Sequence, residues 1–479
     1  MATAVVLLLL SPVMQAQEVR PLSLEEALAL ATETAESAEI ARAGVRRARA
    51  NVARTESQRK PQLNGSASYQ RTLASQFEGV GGSGPATEIP PECVGPFAPD
   101  PSLPLDQRVS ILERRLACPP SSGFGGVDFS QLGFGAPNAW NLGLSFNWPF
   151  WTGGRVEAQT RAAEELAELA ETNVDAADAQ ARLDVTTAYF DAQLASELVD
   201  IAEASLANAE ETLRITALRA SEGAQADFDV LQARVTRDNQ RPIVIRRQTQ
   251  RELAFDRLRA LLDLPQDQPL RLTTPVSEAA ARQVSAEVDA ANRIAVQQAT
   301  QRLQAAEHSL DAARAERMPS IAAQSQYGLV GYSDSFLPDS FRKNWTVGAA
   351  VQIPIYAGGR INAGIESARA DVAEAEAQLD SISALARLET SAAAAELRAA
   401  RAAYAATAGT VEQAQRGYEI AQLRYREGVG IPLEIQNARL LLEQARANQA
   451  QAARDLWIAQ TRIELLPLLP LSGGGVPQQ

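Results

Sequence analysis

The sequence predicts an α+β membrane protein built from two copies of one unit. Each copy carries two β-strands of membrane-barrel type and helices too long for a compact domain. Three observations carry this prediction. A patterned block recurs at a fixed offset; four segments segregate apolar from polar residues on alternate positions; and apolar residues step by four and three along stretches without a helix breaker.

The repeat comes first because it organises everything else. Trp140–Arg155 reads WNLGLSFNWPFWTGGR and Trp345–Arg360 reads WTVGAAVQIPIYAGGR, an offset of 345 − 140 = 205. The same offset carries Leu218-Arg219 with Glu222-Gly223 onto Leu423-Arg424 with Glu427-Gly428, and Ala233-Arg234 onto Ala438-Arg439. Upstream, Arg59-Lys60-Pro61 matches Arg317-Met318-Pro319 at 258, so 258 − 205 = 53 extra residues lie between Pro61 and Trp140.

In chain order, residues 1–16 read as a secretory signal, with apolar Val5–Leu10 followed by Ser11-Pro12 and a small-residue end at Ala16. No Lys or Arg precedes it. No later segment has the roughly 18 uninterrupted apolar residues of a membrane-spanning helix. The first repeat, 17–262, is expected to hold a helix over Ser23–Ser57, a strand at 62–73, a long loop at 74–137, a strand at 139–150 and a helix pair at 155–262. That loop holds the only cysteines, Cys93 and Cys118; in an oxidising compartment they are disulfide candidates, the alternative being two free thiols.

Strand patterning is clearest at Trp140–Phe150. Trp140, Leu142, Leu144, Phe146, Trp148 and Phe150 share one face, and Asn141, Gly143, Ser145 and Asn147 share the other. Trp345–Ile355 alternates likewise, with Leu63–Tyr69 and Ile321–Leu329 weaker. Four such strands cannot close a barrel alone, and lipid cannot satisfy open sheet edges. If they span a membrane, copies of the chain must join.

The helices start at the Gly-Gly-Arg turns. Ile361, Ile365, Ala368, Val372, Ala375, Leu379, Ile382 and Ala386 form a heptad seam, as do Val156, Thr160, Ala163, Ala167, Ala170, Val174, Ala177 and Ala181. Val156 to Leu218 could run about 95 Å. Residues 263–284, opening with the Pro-rich DLPQDQPLRLTTP, form a crossover. The second repeat, 285–466, is expected to give a helix over Ser285–Arg317, strands at 319–330 and 344–356, and a helix pair at 360–466; 467–479 is expected as a flexible tail.

Enzyme chemistry finds little support. His308 is the only histidine and sits in a polar helical stretch, two loop cysteines do not make a zinc site, and Gly79–Gly84 lacks the Lys-Ser/Thr of a phosphate loop. No catalytic residue, metal or cofactor is expected. A net charge of −13 argues against nucleic acid.

Helix, two strands, helix pair, crossover and the same again resembles the TolC family of outer-membrane efflux proteins, from about Leu22 to Leu466. The marks are the Pro-x-x-x-Gly-Gly-Arg exits, Pro149–Arg155 and Pro354–Arg360, and two tip motifs, Gly223/Asp229/Ala233 and Gly428/Glu434/Ala438. The resemblance implies a homotrimer with an outer-membrane β-barrel of twelve strands, four per protomer. It continues as a long α-helical coiled-coil barrel in the periplasm of a Gram-negative bacterium. The function implied is passive conduction in a tripartite efflux or type I secretion system, as a channel and not an enzyme. The implied partners are outer-membrane lipid, a periplasmic adaptor (membrane fusion) protein and an inner-membrane RND or ABC transporter. Tyr425 matches a tyrosine of the family's gate, Glu434 and Asp229 match acidic tip positions, and Glu222-Gly223 and Glu427-Gly428 match adaptor-docking turns. Gly430 and Asn437 stand where the best-known member has a gate arginine and a selectivity aspartate. The rival reading is a soluble periplasmic coiled-coil scaffold, which explains the heptads but not the segregated strand faces.

Overall fold

The structure, a computed structural model, describes residues 19–34, 36–74, 100–117, 136–277, 282, 284–333 and 335–472. The expected signal segment and the disulfide candidates Cys93 and Cys118 lie outside the described residues. In chain order the elements are β1 (Arg20–Leu22), α1 (Leu24–Thr34), α2 (Glu36–Ser57), β2 (Gln62–Arg71), α3 (Leu105–Leu116), β3 (Asn138–Trp151), α4 (Arg155–Ser221), α5 (Asp227–Leu261), β4 (Leu270–Leu272), α6 (Ile294–Ala315), β5 (Ser320–Ser333), β6 (Arg342–Gln352), α7 (Arg360–Thr407), α8 (Thr410–Arg426) and α9 (Pro432–Leu465). They form two compact units, one of Met1–Thr55, Glu157–Ala313 and Arg360–Gln479, the other of Glu56–Val156 and Arg314–Gly359.

The smaller unit is a four-stranded antiparallel sheet in the order β2-β3-β5-β6. The Gly-Gly turns that leave it repeat each other: Gly153 and Gly154 have φ of 67° and 87°, Gly358 and Gly359 have 60° and 85°. A Cβ on Gly153 would sit 2.4 Å from the Met318 Cβ, so only glycine fits there. Strand β6 stops at Gln352 rather than at the expected 356, because Pro354 has no N–H to extend the ladder.

The larger unit is helical, and α4 alone has 67 residues, about 100 Å of helix. The heptad seam is where it packs: Ile365, Ala368 and Ala386 are buried in α7, and Val156, Ala163 and Ala167 in α4. Halfway along α4, Tyr189 and Phe190 enter the main core with Leu258, Leu262, Leu397, Leu456 and Trp457. Phe190 stacks on Trp457 at 4.5 Å. Here the crossover differs from a plain linker, since β4 pairs in parallel with β1. The Tyr189 hydroxyl ties that pair to α4. It donates to the Leu22 carbonyl at 2.9 Å and accepts from the Thr273 and Thr274 amides at 3.1 and 3.0 Å.

Four further expectations are corrected. The long loop contains α3. The single copy-two helix breaks at Ala408-Gly409, a helix-weakening glycine, where copy one has Glu203-Ala204 and continues. Helix α6 starts at Ile294, not Ser285, after a turn in which the Asp289 carboxylate accepts from the Ala291 amide at 3.0 Å. The tail is held as far as Ser472. Fully buried Arg293 pairs with Glu389 at 2.9 Å and donates to the Leu469 carbonyl, while the Ser472 amide donates to Glu389 at 2.7 Å.

Tyr189→Phe should leave the Thr274 amide without its partner, the Thr273 amide and Leu22 carbonyl keeping their own bond at 3.0 Å, and cost about 1–3 kcal/mol. A lowered midpoint of urea unfolding, followed by helix circular dichroism, checks this; an unchanged midpoint contradicts the role given to Tyr189 in tying the β1–β4 pair to α4.

Candidate functional site

Two features of the described residues are candidates for function. The first is the sheet. Its register stacks side chains in rungs across the strands. Leu63, Phe146, Ser325 and Val347 make one rung, Gly65, Leu144, Tyr327 and Trp345 the next on that face. The other face carries Gln62, Asn147, Gln324 and Gly348, then Asn64, Ser145, Gln326 and Thr346, then Ser66, Gly143, Gly328 and Asn344. The apolar face is bare: Leu63 is 68%, Trp345 72% and Val347 74% exposed. In water such a face would be an aggregation or docking surface.

Aromatic residues mark both ends of that face. Tyr69, Trp140 and Phe336 cluster with ring centroids 4.8–5.5 Å apart, and the Trp140 indole donates to the Phe336 carbonyl at 2.8 Å. At the other end stand Trp148, Phe150 and Trp151. The eight residue steps of strand from Trp140 to Trp148 span about 27 Å before tilt, the scale of an outer-membrane apolar band. Among the described residues, strands β2 and β6 are paired on one side only.

The second feature is the helix tips. Gly223 and Gly428 take left-handed φ of 74° and 77° and reverse the chain between α4 and α5 and between α8 and α9. Tyr425 is the polar centre, 1% exposed in a small cluster with Tyr418, Ile435 and Leu442. Its hydroxyl lies 2.5 Å from the Thr216 hydroxyl, which itself donates to the Thr212 carbonyl at 2.7 Å, so Tyr425 is the donor. The Arg219 guanidinium covers the Tyr425 ring at 5.1 Å and donates to the Arg426 carbonyl. These contacts tie α4 to α8.

The other expected residues divide. Glu434 is exposed and pairs with Arg424 at 3.7 Å. Asp229, half-buried, accepts from Gln225 at 2.8 Å on its own hairpin. Asn437, Glu222, Gly223, Glu427 and Gly428 are exposed. A Cβ on Gly430 would meet the Tyr425 amide nitrogen at 3.0 Å, so this glycine lets the turn close against the tyrosine.

Sequence reasoning missed Thr216, Arg219 and a buried network below the tip. Arg439, 7% exposed, donates to the Ser205 hydroxyl and pairs with Glu443 at 3.3 Å; Ser205 donates to the same carboxylate at 3.0 Å. With the Gln240 amide oxygen turned toward it, that oxygen also accepts from Arg439 at 3.1 Å. Burial pushes the Arg439 pKa down and the Tyr418 pKa up. The Tyr418 hydroxyl is buried without a hydrogen-bond partner among the described residues. The available signal was polar residues, Ser205 and Arg439, interrupting apolar seams; their pairing across 234 residues was not legible.

Comparison with known proteins gives one consistent answer. A profile of the family described as outer membrane efflux protein matches residues 121–263 and 288–466. Nodulation protein T of Rhizobium leguminosarum bv. viciae is 25% identical over 328 residues, 67% of each chain. Toluene efflux pump outer membrane protein TtgI of Pseudomonas putida is 27% identical over 265 residues, 53% of this chain and 55% of that one. Among solved structures, outer membrane protein VceC from Vibrio cholerae superposes with a TM-score of 0.67 at 20% identity, over 93% of this chain and 96% of that one. The open-state MtrE outer membrane channel of Neisseria gonorrhoeae does so at 0.67 and 20%, over 94% and 89%. The fold expected from the internal repeat is the fold these structures share.

Tyr425→Phe should remove the α4–α8 link at the tip while leaving its ring packed. Amides of 215–222 and 424–431 should then exchange about fivefold to tenfold faster with deuterium, the scale of one buried hydrogen bond. Unchanged exchange would show that the hydroxyl does not hold the tip.

Proposed function

The chain belongs to the outer membrane efflux protein family, and from that premise we infer how its sequence builds the channel. It is an outer-membrane component of the Gram-negative envelope that conducts cargo passively to the exterior. The observation that carries this reading is the sheet: among the described residues it has one bare apolar face, one small polar face and two unpaired edges. Lipid accepts the first, water the second, and only further copies of the chain the third.

Strand direction fits such a joining. Four antiparallel strands leave β2 and β6 running in opposite senses, so β6 of one protomer pairs antiparallel with β2 of the next. Three protomers give 3 × 4 = 12 strands without a parallel mismatch. Outer membrane efflux proteins are trimeric channels of tripartite efflux pumps, and this arrangement supports the same state here.

The tip is the gate in this reading. Opening requires α4 and α8 to part, which breaks the Tyr425–Thr216 bond and lifts Arg219 from the ring. The exposed Arg424–Glu434 pair adds little, as surface ion pairs do. Asn437 leaves the tip without the acidic ring that its family counterpart supplies. The exposed turns at Glu222-Gly223 and Glu427-Gly428 face a periplasmic adaptor, and an inner-membrane RND or ABC transporter supplies the energy. The names of two relatives, which concern solvent and toluene efflux, support small organic cargo.

Tyr425→Phe combined with Glu434→Ala should raise single-channel conductance in planar bilayers. Equal conductance for variant and parent would remove Tyr425 from the gate. Membrane fractionation separates the rival reading: a scaffold would remain soluble without detergent, the channel would migrate as heat-sensitive trimers from the outer membrane.

A further inference from the structure

The internal repeat and the buried arginine network together specify a contact that one protomer cannot contain. Within the protomer, α4 of copy one packs on α9 of copy two through Arg439–Ser205, Arg454–Asp191 at 2.6 Å and Phe190–Trp457. The offset of 205 relates α5 to α9, and α4 to α7 and α8. In a ring of alternating copies, the α4–α9 junction therefore has a counterpart. That counterpart joins the α7–α8 region of one protomer to α5 of the next.

Carried through the offset, the network survives at its chemical positions. Arg439 − 205 gives Arg234, Glu443 − 205 gives Asp238, and Ser205 + 205 gives Thr410. A guanidinium, a carboxylate one helical turn on, and an aliphatic hydroxyl all recur. The residues that let the helices approach stay small or β-branched: Ala202, Ser205 and Ala209 correspond to Thr407, Thr410 and Ala414.

The local state of Arg234 fits a junction still awaiting its partner, and the Thr410 hydroxyl, which donates to the Ala406 carbonyl at 3.2 Å, can still accept from a guanidinium. Ser205 and Arg439 are buried, whereas Thr410 and Arg234 are exposed. Arg234 has no hydrogen-bond or ion-pair partner among the described residues of its own protomer. Asp238 is held beside it by Arg237 at 2.7 Å and Arg241 at 3.8 Å, so its charge is already in place. The tyrosine link, by contrast, does not recur: Tyr425 and Thr216 map onto Ala220 and Ala421.

We propose that Arg234 and Asp238 of one protomer clasp Thr410 of the adjacent protomer, forming the between-chain replica of the Arg439–Glu443–Ser205 network. The proposal rests on the trimeric reading above. Trimer seams below the tip are then held by the arginine clasp alone, while seams inside each protomer carry both the clasp and the tyrosine link.

The test uses the full chain in a Cys93→Ser, Cys118→Ser background, extracted in detergent. Arg234→Cys with Thr410→Cys, treated with a short bismaleimide, should yield covalent dimers and trimers that survive boiling; each single cysteine should yield none. Native mass spectrometry of the same sample reports assembly independently. Trimers without cross-links overturn the clasp and leave the channel reading standing; the absence of trimers overturns both. In the otherwise unmodified chain, Arg234→Ala should speed trimer dissociation in warm dodecyl sulfate by about tenfold, the order of one charge-assisted hydrogen bond per seam. Thr410→Ser should dissociate like the parent. Parental dissociation of Arg234→Ala would also overturn the clasp.

Discussion

Backbone hydrogen bonding at two sheet edges governs this protein. Strands β2 and β6 each present a row of amides and carbonyls with no strand partner among the described residues, beside an apolar face against which none of the described residues packs. In water the face is the liability; in hydrocarbon the edges are, because each unpaired backbone group there costs several kcal/mol. Neither environment suits one protomer. A closed ring of identical sheets suits the membrane and removes the edges, so assembly, membrane insertion and a water-lined interior are one solution to one constraint.

The helical unit solves a different problem with the same duplicated unit. Ala-rich heptads bring long helices close without large side chains, and the aromatic core is confined to the level of Tyr189, where β1, β4 and the crossover meet α4. Toward the tip that core gives way to polar contacts: a tyrosine hydroxyl on a threonine, a guanidinium on a ring, and a buried Tyr418 hydroxyl without a partner. Such contacts release at lower cost than an apolar core, which suits the opening proposed for this end. Divergence between the copies falls there too. Copy two has Tyr418, Tyr425 and the break at Gly409, where copy one has Leu213, Ala220 and an unbroken helix.

Much of this was legible in the sequence because period and repeat are local signals. Alternation at Trp140–Phe150 gave the two sheet faces, and the Gly-Gly-Arg exits gave the chain reversals with their left-handed glycines. The seam from Ile361 to Ala386 marked the packed line of α7. What stayed hidden depends on contacts between distant segments. The parallel pairing of β1 with β4, the anchoring of the C-terminal segment by Arg293 and Glu389, and the Ser205–Arg439 network leave no periodic trace. At the tip, the resemblance pointed to Tyr425, and the structure supplied its partner, Thr216, 209 residues away. Helix α3 escaped notice because its amphipathic stretch is short and lies in a Pro/Gly-rich region.

The central claim is edge-to-edge closure of the sheet, and per-residue amide exchange on detergent-extracted protein tests it most directly. In Gln62–Arg71 and Arg342–Gln352, alternate amides point toward β3 or β5, and the remainder point outward. Closure predicts that the outward amides are protected to the same degree as the inward ones. Outward amides exchanging at solvent rates, beside slow inward ones in the same sample, would contradict it.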